Sequence, residues 1–117
     1  MGLFRRGRAG RPGTPRTASS GDRQHLEDFA RSRRGVEAYL EPRTAVTEMT
    51  VVLVAADGEW TRRRVPNAPA AREFGNSLGI PVYEVAATGY PQRMREWTAR
   101  RKAAGQTGVP EAGGPAD

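Results

Sequence analysis

From Thr47 to Ala56 the chain reads TEMTVVLVAA, apolar at odd and even positions alike and rich in β-branched residues. That is the pattern of a central strand covered on both faces. Asp57-Gly58 follows and predicts a two-residue hairpin turn of type I′. Glu59 to Val65 (EWTRRRV) is then the returning strand, and the central hairpin covers residues 47–65. The turn implies a register in which Ala55 faces Trp60, Val54 faces Thr61 and Val52 faces Arg63. One face would carry Val52, Val54 and Val65, the other Val51, Leu53 and Trp60. Both need a cover.

The flanking pattern supplies candidates. Asp22 is a suitable N-cap for a helix through Arg34, with Leu26, Phe29, Ala30 and Arg33 on one stripe and Gly35 as a stop. Val36 to Leu40 alternates and predicts a short strand closed by Pro42. Asn67-Ala68-Pro69 opens a second helix, in which Ala71, Phe74 and Leu78 share a side and Gly79 ends the run. Ile80 to Val85 reads as a further strand. Pro91 begins a third helix, PQRMREWTARRK, with Met94 and Trp97 on one side. The expected fold class is α+β: a small, mostly antiparallel sheet around the hairpin, a helix packed on one face, and flanking N- and C-terminal helices.

Composition sets the limits of that domain. Residues 1–21 and 103–117 are rich in Gly, Pro, Ala and Ser and poor in apolar side chains, so they are expected to form disordered tails around a single domain at 22–102. The net charge of +6 is uneven. Residues 1–23 hold six arginines against Asp22, residues 24–90 sum to −1, and residues 91–117 sum to +2. Basic tails attract acidic proteins, nucleoprotein surfaces or nucleic acid in a salt-dependent way without choosing among them. No apolar run is long enough to span a bilayer, and the charged N-terminus lacks a following hydrophobic segment, so a cytoplasmic setting is expected.

Chemistry is sparse. There is no cysteine, which removes disulfides, thiolate catalysis and cysteine-bound zinc. His25 is the single histidine, short of a zinc set, and is expected at a solvated helix position. No serine sits in a nucleophile elbow, and the scattered glycines form neither a dinucleotide fingerprint nor a phosphate loop. The residues therefore point to no catalytic group, cofactor or metal. The densest charge is Arg62-Arg63-Arg64, in which Arg62 and Arg64 point to one face of the strand and Arg63 to the other. Their stems can cover strand side chains, or they can meet a phosphate backbone with Trp60 beside them to stack on a base or an arginine. Arg93, Arg95 and Trp97 lie on the basic last helix, which either packs on the open sheet face or docks a partner through its aromatic anchor. Trp97 is expected to pack on the domain.

At RRGVEAYLEPRTAVTEMTVVLVAADGEWTRRRVP and GIPVYEVAATGYPQRMREW the chain resembles a small family of uncharacterised actinobacterial proteins, over residues 22–102. Members often carry the bare label "oxidoreductase", so the resemblance implies that activity, or a subunit of such an enzyme, as one reading. The reading that the residues favour is a non-catalytic accessory module of a protein or nucleoprotein assembly. Direct nucleic-acid binding through Arg62–Arg64 and Trp60 is a third.

Overall fold

The computed structural model describes residues 19–105. Of the expected tails, 1–21 and 103–117, residues 1–18 and 106–117 lie outside those residues, while Ser20 and Gly21 belong to the first helix and Ala103 to the last. Eight elements follow in order: α1 (Ser20–Ser32), β1 (Glu37–Glu41), β2 (Thr50–Val54), β3 (Trp60–Arg64), α2 (Ala68–Leu78), β4 (Val82–Glu84), α3 (Val85–Thr88) and α4 (Gln92–Ala103). The α+β expectation holds. The sheet has the order β3-β2-β1-β4, with β1–β2 and β2–β3 antiparallel and β1–β4 parallel.

The first helix starts earlier than expected. Ser19 is the N-cap: its hydroxyl accepts from the Asp22 N–H at 3.2 Å, while the Asp22 carboxylate accepts from the Ser19 N–H at 3.0 Å. Asp22 is thus the reciprocal partner of a capping box, three residues inside the cap. The second helix behaves as its residues predict. Asn67 caps it by accepting from the Ala70 N–H at 2.8 Å, and Gly79 closes it in the left-handed region. The expected strand at Ile80–Val85 contracts to Val82–Glu84, because ladder pairing with β1 begins only at Ala38↔Val82 and the chain turns into α3 at Val85.

The hairpin register differs by one residue from that of a type I′ turn. Val54 pairs with Trp60, Leu53 with Thr61 and Val52 with Arg62. The connection is a three-residue loop, Ala56 to Gly58: the Ala55 N–H donates to the Glu59 carbonyl at 2.8 Å and the Gly58 N–H to the Ala55 carbonyl at 2.9 Å. Gly58 takes φ +97°, and the Asp57 carboxylate accepts from the Glu59 N–H at 2.9 Å. A one-residue shift moves every β3 side chain to the other face. Trp60, Arg62 and Arg64 therefore share a face with Val52 and Val54, and Val65 belongs with Val51 and Leu53.

Each face has its own cover. On one, Ala38, Leu40, Val51, Leu53 and Val65 pack with Leu26 and Phe29 of α1 and Ala71 and Phe74 of α2. On the other, Tyr39, Val52, Val54 and Trp60 pack with Met94 of α4, and Tyr90 and Trp97 close in around them. All five residues of β2 are buried, as its two-sided apolar sequence requires. Each such large side chain removed from water contributes roughly 1.5–3 kcal/mol.

Gly58 joins the turn to the second face. It is buried, and a Cβ added to it would overlap the Arg93 carbonyl oxygen of α4 and press on the Trp97 Cβ. Gly58→Ala meets both a positive φ and a blocked helix, each costing on the order of 1–3 kcal/mol. Thermal unfolding of this variant is expected at a markedly lower temperature, whereas Gly79→Ala, with open space at its Cβ position, suffers only the backbone strain.

Candidate functional site

The register carries charged side chains onto the α4 face. β1 presents Glu37, Tyr39 and Glu41 there, β2 presents Thr50, Val52 and Val54, and β3 presents Trp60, Arg62 and Arg64. Because Val52 pairs with both Tyr39 and Arg62, Glu41 on β1 lies within diagonal reach of Arg62 across the central strand.

Glu41 is the hub. Its two carboxylate oxygens accept from Nε and Nη2 of Arg62, each at 2.9 Å, and also from the hydroxyls of Thr50 and Tyr90. Burial pushes the Glu41 carboxyl up, but the bonds from Arg62, Thr50 and Tyr90 outweigh it and hold the group below its ordinary value. Burial and the adjacent Glu41 push the Tyr90 phenol up. A second pair closes the other end of the face. Arg93 donates to Glu37 at 3.0 Å and to the Ala55 carbonyl at 2.9 Å, while the Tyr39 hydroxyl donates to Glu37 at 2.8 Å. Burial raises the Glu37 carboxyl, and those bonds from Tyr39 and Arg93 bring it below its usual range. Tyr39 is pushed up to about 12 by burial and by its bond to Glu37.

The seven residues singled out from the sequence do not form one surface. Trp60 is only 6 % exposed; its indole N–H donates to the Thr98 hydroxyl at 3.0 Å, and the Arg62 guanidinium lies 5.2 Å from its ring centre. With α4 in place its ring stacks on an arginine and is covered from a base. Arg63 points to the opposite face, 13 % exposed, and pairs with Asp22 at 3.6 Å. Arg93 is a latch between α4 and the hairpin. Arg95 is exposed and donates to the Tyr90 carbonyl at 3.3 Å. Trp97 packs half-buried against the Trp60 and Met94 cluster, with the Arg101 guanidinium 4.8 Å from its ring centre. His25 is not a solvated position: it is half-buried, its Nε2 2.6 Å from the Thr61 hydroxyl, and burial together with Arg63 lowers its pKa.

Arg64 is the exception within this network. Its Nε is buried without a hydrogen-bond partner, and its guanidinium has no ion pair among the described residues. A buried donor left unmatched costs about 1–3 kcal/mol. Arg64 lines a cleft of about 640 Å³ beside the β1–β2 loop, together with Arg62, Glu41, Glu48, Val46 and Tyr90. Glu37, Glu41 and Thr50 escaped the sequence reading; the signal was there in two acids four residues apart on β1 and two arginines two apart on β3, even spacings that keep each pair on one face, but it becomes complementary only in the observed register. Among the described residues no group of three or more His, Asp or Glu side chains is placed to hold a metal ion, and no helix is long and apolar enough to cross a membrane. Comparison with protein-family models, curated proteins and solved structures finds no match.

If Glu41 organises this face, Glu41→Gln should destabilise the domain on the order of 3 kcal/mol by leaving Arg62 half-buried without its counter-charge. In a denaturation cycle with Arg62→Gln, the double variant should lose much less than the sum of the two single losses. Additive losses would show that the two side chains do not act as a pair.

Proposed function

We propose that the domain is a non-catalytic binding module of a protein or nucleoprotein assembly, with electrostatic attraction supplied by the outer side of α4 and by the arginine-rich N-terminal segment. The observation that carries this reading is the division of charge. On the sheet face Glu37 and Glu41 are each bonded to an arginine and held ionised below the ordinary carboxylate range. A general base needs a pKa near the working pH, and both carboxylates are held below their ordinary range, away from it. On α4, by contrast, Arg95 and Lys102 are exposed on the outer side, Arg100 is exposed while its Nη2 donates to the Asp57 carbonyl of the hairpin turn at 3.0 Å, Arg101 lies over Trp97, and Glu96 is bonded to Gln92. Residues 1–23 add a net +5. Such a ridge steers acidic partners and weakens as salt screens it.

The test is recovery of partners from lysate on the immobilised full chain, over a salt series and with and without nuclease. A defined partner should be retained at low salt, leave at moderate salt, and be lost when Arg95, Arg100 and Lys102 are changed together to glutamate on a chain that still shows native circular dichroism. Survival of retention after nuclease treatment assigns the partner to protein; its loss assigns it to nucleoprotein. Failure to retain any partner at low salt, or equal retention by the triple variant, contradicts the reading.

A further inference from the structure

A cleft opens on the sheet beside the β1–β2 loop. We propose that the cleft beside the β1–β2 loop binds a single carboxylate carried on an apolar body, with Arg64 as its counter-charge.

The polar groups around this cleft are already matched, with one exception. Glu41 is bonded to Arg62, Thr50 and Tyr90. Glu48 is paired with Arg43 at 3.2 Å. The hydroxyls of Thr44 and Thr47 are 2.7 Å apart, and the Thr44 hydroxyl also accepts from the N–H groups of Val46 and Thr47. Arg64 alone among the charged lining residues lacks a partner. Its Nε is closed off inside the protein, so it meets a ligand through its two terminal Nη groups. These form a planar fork that matches a carboxylate end-on.

Charge selects the valence. Arg62 neutralises Glu41 and Arg43 neutralises Glu48, which leaves Arg64 as a single uncompensated positive charge at the cleft. A monoanion is matched by Arg64; a phosphate dianion would bring a second negative charge toward two fixed carboxylates. The lining also selects the body of the ligand. Pro42, Val46 and Val85 face the same space, and Val46 is 88 % exposed at the rim, a large apolar side chain with nothing described packed over it. Small-ligand sites combine such apolar walls with a few placed polar groups.

The carboxylate could belong to a small free acid or to the C-terminus of a protein chain with an apolar last residue. NMR titration of the full chain with hexanoate tests the shared chemistry, reading the Arg64 Nε–H and the backbone amides of residues 44–48. Saturable shifts at millimolar hexanoate are expected, weakened at least tenfold by Arg64→Gln. Hexanamide, and inorganic phosphate at a pH above its second ionisation where it is the dianion, should give no saturable shift. Because Arg64→Gln touches a partly buried position, Val46→Asp provides a second variant: it changes an exposed rim residue and should weaken hexanoate at least tenfold by charge repulsion. A tetrapeptide ending in leucine that binds more tightly than hexanoate, and loses this on C-terminal amidation, assigns the site to a protein terminus; binding no tighter than hexanoate assigns it to small acids. Linear, non-saturating shifts, an unchanged response in both variants, or equal affinity for hexanamide or phosphate would overturn the proposal.

Discussion

Gly58 sets the register on which the rest of the structure depends. Its left-handed backbone lets the loop hold three residues, and that count decides which face of β3 meets α4. Its missing side chain admits the α4 backbone to the tip of the hairpin. Had the loop held two residues, Trp60 would lie under α1 and α2, and Arg62 and Arg64 would follow it. The apolar α4 cluster would lose its largest strand residue, and Glu41 its counter-charge. A local turn thus fixes the composition of both cores.

The consequence is a domain with two unlike faces. Between the sheet and the first two helices the contacts are almost wholly aliphatic and aromatic, with Thr61, His25, Arg63 and Asp22 at one margin. Between the sheet and α4 a narrow apolar centre is bracketed by two charged clusters, Glu37–Arg93 and Glu41–Arg62. Partly buried pairs of this kind contribute modest net stability, since desolvation offsets much of their attraction. Their clearer effect is geometric: they orient α4 and leave Arg64, one residue pair along the same strand face, without a counter-charge. A paired and an unmatched arginine therefore share a single strand.

Much of this was legible in the residues. The two-sided apolar run of β2, the Asn67 cap and Gly79 stop of α2, and the amphipathic start of α4 each follow from local rules, and the α+β class follows from their order. The register did not, because Asp-Gly suits either a two- or a three-residue loop and the dipeptide alone does not choose between them. For the same reason three consecutive arginines look alike in the sequence, yet one pairs with Glu41, one with Asp22 and one with nothing described. His25 reads as solvated because its partner Thr61 is brought to it only by the packing of α1 on β3. Long-range partners, not residue types, separate these cases.

The central claim is the hairpin register, and cross-strand nuclear Overhauser effects on isotopically labelled protein measure it directly. Contacts joining Val54 to Trp60 and Val52 to Arg62 are predicted, as the strand partners require. Contacts joining Val54 to Thr61 and Val52 to Arg63 would instead establish the two-residue turn, place Trp60 beneath α1 and α2, and contradict the account of both faces.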